Sequence, residues 1–518
     1  MECMCPNCGK KIKNGELAFD LTAFLQKRVL EEIEKAQWKD ADVMNQVKDG
    51  CNIYFNHWMN NGYPLKVSEK ELWKYPEVSD GGDLTKEKQV LYSIPVQKIT
   101  AKTVKDDCTE GDEEIKKAFT DWLEKNQELG KKTYMLRLVK SGDGDICFDE
   151  IQYQTEIIAN KRICPECGSE MSYYAGRYQE WTLTVLGGPR VSKSTALTSC
   201  AAAFMDRNDD LIRWDIHPTD AGSEFFIKNY LTEYKAGREL KATETQNDKI
   251  PRLTFRVTIG KETARKKKYL CLTFVDLPGE FNNEKGLAPE LQERYRNIFQ
   301  NIDFVWYCTD PGEIEQLQGE IVRNELGYDE KKIIETDRIK DNMRRLSAYF
   351  SHSNRKVPVA YILGKTDAAA ILPEDKRRYG LYDENGGEPT LPFDVRSFFR
   401  RSEKVKQYMM NKNTGGLVNE FEKMFPERCY IATSAYGYNP KKVDAEKEHV
   451  KKPYHCKEAF YWMLALRNCI DVKVEHHVSG LFGIGAKTHV IEGRLTELDD
   501  EVREKAYKNL YMSGNYTI

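Results

Sequence analysis

Residues Trp181 to Phe204, WTLTVLGGPRVSKSTALTSCAAAF, read as a strand, a tight glycine turn and a helix. Leu183, Val185 and Leu186 supply the apolar bulk of the strand and Gly187 and Gly188 open the turn. Ser194 to Phe204 is a small-residue helix with Lys193 at its mouth. Such a turn aims its backbone N–H groups, and those of the helix's first turn, at a phosphate; the lysine adds charge and a hydroxyl holds magnesium. Against the pattern GxxxxGK(S/T), Gly187, Lys193 and Ser194 fit, with Thr195 next in line, while Ser192 stands where the second glycine belongs. With that departure the motif alone is suggestive, and the chain downstream decides.

Seventy to eighty residues on, YLCLTFVDLPGE (Tyr269 to Glu280) is an apolar strand ending in Asp-x-x-Gly. It delivers Asp276 to the same sheet edge as Lys193, where an aspartate holds the shell of a magnesium ion and the Gly279 amide reaches a terminal phosphate. FVWYC (Phe304 to Cys308) is a third buried strand, and VPVAYIL (Val357 to Leu363) a fourth that runs into Gly364-Lys365-Thr366-Asp367. In a guanine site of the form (N/T)KxD the aspartate accepts from guanine N1 and N2, and the lysine stem covers the ring. Lys365 and Asp367 fit; Gly364 does not. A fifth strand, Cys429 to Ala432, opens into Thr433-Ser434-Ala435, whose backbone N–H groups could read the guanine O6.

The chain has 518 residues, 40% hydrophobic and 31% charged, enough for two to four packed units under a solvated surface. Lys plus Arg number 79 against 82 Asp plus Glu, so no global field draws it to nucleic acid or an anionic membrane. No run of about 18 apolar residues and no apolar leader is present, so neither a spanning helix nor a secretory signal is expected and the cytoplasm is the expected compartment. Among 14 cysteines, four fall in matching pentapeptides, Cys5-Pro6-Asn7-Cys8-Gly9 and Cys164-Pro165-Glu166-Cys167-Gly168. Two thiolates three apart face one tetrahedral zinc when the turn between them is tight; proline sets that turn and glycine accepts its left-handed residue. The spacing predicts a closed, structural four-thiolate site, with Cys3 a bystander too close to Cys5 to replace a ligand. Between Cys8 and Cys164 lie 155 residues, so a large insertion hangs from the metal.

The ordered set GGPRVSKS, DLPGE, GKTD and TSA resembles the G-boxes of the TRAFAC clade of P-loop GTPases. With a cysteine-knuckle module ahead of it, the arrangement is similar to the double-GTPase proteins of bacterial conflict systems. The match covers roughly residues 180–470. The resemblance implies an α/β P-loop NTPase fold, a mostly parallel sheet flanked by helices with the ligand over the strands' carboxyl ends, preceded by a zinc ribbon carrying a large α+β insertion. It implies GTP or GDP with magnesium: Gly187, Gly188, Ser192, Lys193, Ser194, Thr195 and Gly279 at the phosphates, Ser194 and Asp276 at the ion, and Lys365, Asp367, Ser434 and Ala435 at the base. Lys193, Glu280 and Thr243 take the catalytic positions. Glu280 sits where many such GTPases orient the attacking water; a carboxylate there can orient it or repel the phosphate. Thr243, with Thr245 the alternative, is the candidate switch I threonine, and both also read as turn threonines before the strand Arg252 to Ile259.

These boundaries give a zinc ribbon at 1–175 with an insertion at 10–160, a GTPase domain at 178–470 with an excursion at 372–416, and a tail with a helix at 471–518. Within the insertion, Leu21 to Ile33 and Ile115 to Trp122 repeat at helical spacing, and Val90 to Val96, Thr133 to Val139 and Ile151 to Ile158 read as strands. Tyr54, Phe55, Trp58, Trp73 and Tyr75 read as core more readily than as a partner surface. Arg265 to Lys268 marks a hairpin tip, Arg400-Arg401 a remote candidate for an arginine acting in trans, and His476-His477 a loop. Gly480 to Gly485 lacks the strand and helix of a dinucleotide fingerprint. The reading is a slow or partner-activated GTPase serving as a switch or assembly regulator in anti-phage defence, with a protein partner or a second copy. A degenerate nucleotide-binding scaffold acting through its zinc-tied module is the rival; nucleic-acid binding is the weakest class.

Overall fold

A computed structural model describes residues 2–5, 7–13, 15–60, 66–72, 89–95, 99, 101–108, 111–126, 133–140, 148–153, 156–187, 193–206, 211–217, 221–240, 252–260, 267–276, 289–309, 311, 336–353, 356–369, 373–383, 387–440, 451–478 and 487–511. They divide into two compact units, Met1–Glu180 and Trp181–Ile518.

In the first unit β1 (Glu2–Met4) pairs with β2 (Lys11–Lys13). The strand β3 (Ala18–Asp20) pairs with both β4 (Lys66–Ser68) and, from the far end of the insertion, β9 (Arg162–Ile163). A second, antiparallel sheet runs β5 (Gln89–Pro95), β6 (Thr133–Lys140), β7 (Phe148–Tyr153), β8 (Glu156–Ala159). Where the sequence reads one strand over Ile151 to Ile158, the structure has a hairpin: Tyr153 pairs with Glu156, and the break falls in the polar run Gln152 to Glu156. The helices Thr22–Lys35 and Glu113–Lys125 follow the apolar spacing, the latter capped by the Asp112 side chain on the Glu114 amide. Leu25, Val29, Ile33, Phe119 and Trp122 share one core with Tyr54 and Phe55.

The 20-residue helix Ala41–Asn60 has no counterpart in the sequence expectations. Its first half carries few apolar residues, one of them the exposed Val43, and the buried set Val47, Cys51, Tyr54 and Phe55 is interrupted by Gly50. That glycine is required by packing: a Cβ there would lie 2.7 Å from the Ile115 carbonyl oxygen and 2.7 Å from the Phe119 Cβ of the facing helix. Trp73 and Tyr75 lie outside the described residues.

The second unit is built on a seven-stranded sheet whose strands start, in spatial order, at Ile212, Arg252, Lys268, Gln179, Phe304, Val359 and Arg428. Its members are β10 (Gln179–Leu186), β11 (Ile212–Asp215), β12 (Arg252–Ile259), β13 (Lys268–Asp276), β14 (Phe304–Thr309), β15 (Val359–Leu363) and β17 (Arg428–Ala432). The links β10–β14, β14–β15 and β15–β17 are parallel; β11–β12 and β12–β13 are antiparallel. Every residue of β14, β15 and β17 is buried, which is why these strands read as unbroken apolar runs: a sheet covered on both faces has no polar side to alternate with. Winding goes one way from β10 to β13 and the other way to β14, so β10 stands at the switch point where open α/β sheets bind ligands.

The sheet's β17 edge is covered. The helix Val395–Met409, capped by Asp394 on the Arg396 and Ser397 amides, lies along it, and its buried Ser402 hydroxyl accepts the Tyr430 N–H at 2.7 Å. A small sheet of β16 (Phe393–Asp394), β18 (Val472–Val478) and β19 (Lys487–Gly493) joins the chain before that helix to the tail. His476 and His477, read as loop, are therefore strand residues: Val472, Val474 and Val478 fit a ladder whose partner strand β19 the sequence expectations lack. In the tail, Leu495 lies in a short 3-10 turn and Leu498 just after it, while Val502 belongs to the helix Asp500–Tyr511. The Trp462 indole N–H donates to the Leu510 carbonyl at 2.7 Å, binding that helix to Glu458–Leu466.

Candidate functional site

Because β10, β14, β15 and β17 are parallel and in register, their carboxyl ends share one edge: Leu186 stands opposite Tyr307, Thr309 opposite Leu363, and Leu363 opposite Ala432. The segments following β10, β15 and β17, which hold Lys193, Lys365 with Asp367, and Ser434 with Ala435, all leave from that edge. On the other flank the Thr184 hydroxyl donates to the Val275 carbonyl at 2.9 Å, setting the end of β13 and its last residue, Asp276, beside β10.

At the phosphate-loop position Gly187 has φ 144°, a conformation open to glycine, and the helix Lys193–Met205 begins with the lysine itself. Lys193 is half-buried and its Nζ donates to the Gly187 carbonyl at 3.0 Å, so the amine reaches back to the end of β10. Ser194 and Thr195 follow in the helix's first turn, and the Ser194 carbonyl accepts the Thr198 hydroxyl at 2.6 Å. Gly188, Ser192, Thr243, Thr245, Gly279 and Glu280 lie outside the described residues, as does the side chain of Asp276.

The turns after β15 and β17 are more fully drawn. Gly364 N–H donates to the Thr309 carbonyl, Thr433 N–H to the Leu363 carbonyl, and Thr366 N–H to the Thr433 carbonyl, at 2.8, 2.9 and 3.2 Å, knitting the two turns together. Lys365 adopts φ 50°, a left-handed residue at the head of the helix Thr366–Ala369. Asp367 is met by the Ser434 hydroxyl, which donates to its Oδ1 at 2.6 Å and accepts the Gly437 N–H at 3.0 Å. Burial raises the Asp367 pKa above the ordinary carboxylate value, and the Ser434 hydrogen bond opposes that rise. Three tyrosines absent from the sequence expectations hold this turn. Tyr234 donates to the Ala435 carbonyl at 2.8 Å, Tyr436 to the Arg238 carbonyl at 2.8 Å and Tyr438 to the Gly237 carbonyl at 3.5 Å. The alternation Ala435-Tyr436-Gly437-Tyr438 right after Thr433-Ser434 was the available signal. Arg401, the remote in-trans candidate, is held within its own chain: its Nε donates to the buried Glu458 at 2.7 Å. β12 and β13 form an antiparallel hairpin whose described ladder ends with Ile259 opposite Lys268; Arg265 and Lys266, expected at its tip, lie outside the described residues.

In the first unit, Cys5, Cys8, Cys164 and Cys167 place their sulfurs within 4.8 Å of one another. The pairs Cys5–Cys167 and Cys8–Cys164 stand 3.6 and 3.9 Å apart, close to the ~3.8 Å edge of a tetrahedron with metal–sulfur bonds of about 2.3 Å. The two knuckles are built alike. Cys5 N–H bonds the Lys10 carbonyl and Gly9 N–H the Cys5 carbonyl; Cys164 N–H bonds Ser169 and Gly168 N–H bonds Cys164; both glycines have φ 71°. Sulfurs this close cannot all ionise unaided: hydrogen bonding from Cys164 holds Cys8 and Cys167 below the ordinary thiol value, and the shared protons hold Cys5 and Cys164 above it. A single cation would replace those protons, and the donor set fits a thiophilic ion such as zinc. Cys3 is buried in the same small core outside the cluster.

Among solved structures, the chain is similar over 56% of its length to the Arl6 BBS3 small GTPase of Trypanosoma brucei with bound GppNp, covering 99% of that chain at 12% identity and a TM-score of 0.23. It is similar over 61% to the translation elongation factor SelB of Methanococcus maripaludis with a GTP analogue (12% identity, TM-score 0.21) and over 61% to the GTP-bound Ski7 GTPase-like domain of S. cerevisiae (12% identity, TM-score 0.25). It spans 42% of the SelB chain and 59% of the Ski7 chain. No protein-family profile and no curated protein matches the chain. Among the described residues no helix is long and apolar enough to cross a membrane.

Proposed function

We propose that this protein is a magnesium-dependent GTP-binding protein that hydrolyses GTP slowly and uses the nucleotide state to control a partner. The observation that carries the reading is the gathering of Lys193, Asp367 and Ser434 along the carboxyl edge of one sheet, around its switch-point strand, with Ser434 already bonded to Asp367. Lys193 would leave the Gly187 carbonyl to neutralise phosphate charge, and the amides of Gly187, Gly188, Ser192, Ser194 and Thr195 would line the phosphates. Ser194 and Asp276 would hold magnesium, which supplies charge neutralisation between phosphates. Gly279 would sense the terminal phosphate, Thr243 would close over it and Glu280 would orient water. Asp367 and the Lys365 stem would select guanine, with the Ser434 and Ala435 amides at O6. Zinc at Cys5, Cys8, Cys164 and Cys167 would tie the two ends of the 10–160 insertion. A cytoplasmic role in bacterial conflict, with a protein partner or a second copy, belongs to the same proposal and rests on the knuckle module preceding the phosphate loop.

Titration of the full chain with fluorescent GTP and ATP, with phosphate release measured beside Lys193→Ala, tests it. GTP bound in preference to ATP and turnover lost in the variant are expected; equal affinity for ATP would remove the base selection. A catalytically degenerate scaffold is the second reading, favoured by Ser192, Gly364 and Glu280 as three departures within one site. Absence of turnover in the wild type with GTP binding intact would establish it.

A further inference from the structure

We infer that Glu388 is a positioning residue for recognition of the base: its carboxylate holds the segment 454–457, which braces the Thr433–Ala435 turn against Asp367. The inference rests on the nucleotide reading above. Gly364 has no side chain with which to support the turn beyond β17, and its N–H serves the Thr309 carbonyl. Support arrives from a segment 20 residues further along the chain. Tyr454 N–H donates to the Ser434 carbonyl at 2.8 Å and Ser434 N–H to the Tyr454 carbonyl at 3.1 Å; Lys452 N–H donates to the Tyr436 carbonyl at 2.8 Å. The buried Cys456 thiol adds a bond to the Ser434 carbonyl at 3.4 Å. The residue whose hydroxyl meets Asp367 therefore has both of its own backbone groups fixed by this segment.

One side chain fixes the segment in turn. The Glu388 Oε1 accepts the Cys456 N–H at 2.9 Å and its Oε2 the Lys457 N–H at 3.0 Å, two amides directly ahead of the helix Glu458–Leu466. A carboxylate there satisfies donors the helix leaves open and lies at the favourable end of its dipole. The next residue, Glu458, is fully buried and bound by Arg401 and His455. Glu388 and Arg401 both belong to the chain between 372 and 416, so that excursion grips the bracing segment at two successive points. Losing the Glu388 acceptors would free the Cys456 and Lys457 amides and let the Ser434 backbone shift, while the bond between Lys193 and the Gly187 carbonyl, in which none of these residues takes part, would stay as it is.

The experiment measures GTP and ATP affinity on the full chain for wild type, Glu388→Ala and Glu388→Gln, with a thermal melt of each. A bond to a charged acceptor is worth about one decade in an equilibrium. The expected result is a GTP-to-ATP preference reduced about tenfold in Glu388→Ala and partly restored in Glu388→Gln, which keeps one oxygen acceptor, with ATP affinity unchanged. An unchanged preference, or both affinities falling together, would overturn the positioning role, because a purely structural residue weakens both nucleotides alike. If Glu388→Ala melts below the assay temperature, Glu388→Gln decides alone, by a reduced or an intact preference. A wild type that binds GTP no better than ATP overturns the base-selection reading itself and this inference with it, a failure distinct from a selective wild type and an equally selective variant.

Discussion

Replacing Arg162 by methionine should cost the first unit several kcal/mol, and the cost should grow with pH. The guanidinium is fully buried; it donates to the Glu69 carboxylate at 3.3 Å, to the Tyr173 carbonyl at 3.3 Å and to the Phe148 carbonyl, and it lies 5.5 Å from the Phe19 ring centroid. Methionine fills much of the volume and removes the charge, leaving Glu69, itself 1% exposed, as a carboxylate buried without its partner. Breaking a buried pair on one side costs about 3–5 kcal/mol. At about 2–4 °C per kcal/mol for a unit of this size, the corresponding transition should fall by roughly 6–20 °C. The sign with pH follows from Glu69, whose pKa burial already raises in the presence of Arg162. A carboxyl raised in the folded state contributes stability that is full below its unfolded value and lost as pH rises through its folded value. Without the cation that folded value rises further, so the penalty should be largest near pH 8 and shrink toward pH 5 as the carboxyl takes up its proton. Scanning calorimetry of the full chain at both pH values, for Arg162→Met, Glu69→Leu and the double variant, measures it. The double variant removes both charges and should recover most of the loss. A shift of the single variant below about 1 kcal/mol at pH 8, or a double variant no more stable than the single, would refute the argument.

Other outcomes follow from the same geometry. Cys8→Ser should lose the bound metal, read by elemental analysis, and lower the melting of the first unit; an unchanged zinc content would mean the cluster does not hold it. Lys193→Ala should weaken GTP binding by on the order of a hundredfold without altering the melt, and equal affinity would dissociate this turn from phosphate. With Asp367 reading the base as proposed, GTP binding should fall on acidification as that carboxylate is protonated; because the Ser434 hydroxyl opposes the burial that raises Asp367, Ser434→Ala should move that fall to higher pH, and a shift to lower pH would contradict it. Ser402→Ala leaves the buried Tyr430 N–H without its acceptor and should cost about 1–3 kcal/mol, measured by denaturant titration.

What the sequence carried was local and periodic. The strands β14, β15 and β17 were legible because burial on both faces writes a continuous apolar run, and the knuckles because each turn needs a fixed set of residue types within five positions. The helix Ala41–Asn60 was not legible, since its apolar face is broken by a glycine whose reason is a residue more than 60 positions away. β19 and the strand character of His476 were hidden for a related reason: a ladder is a property of two segments, and neither is apolar enough to show it alone. In the candidate site, Lys193, Asp367 and Ser434 were named from motif order. Tyr234, Glu388 and Cys456 were not, because each acts on a backbone group of a residue distant in sequence.

That division explains where the excursion 372–416 and the tail belong. β17 is the last strand of the sheet, and an exposed edge there would leave both its hydrogen-bonding groups and the turn beyond it unsupported. The helix Val395–Met409 meets the first need through Ser402 and, through Arg401 on Glu458, reaches the segment that meets the second. Asp394, which caps this helix, is held by β16 against β18, so the tail strand fixes where the helix begins. The helix Asp500–Tyr511 then closes over Glu458–Leu466 through Trp462. Residues that carry no nucleotide-binding motif thus converge on a single turn, Thr433 to Ala435, and a substitution in β16 or β18 that loosens the helix start should be felt first at that turn and last at Lys193.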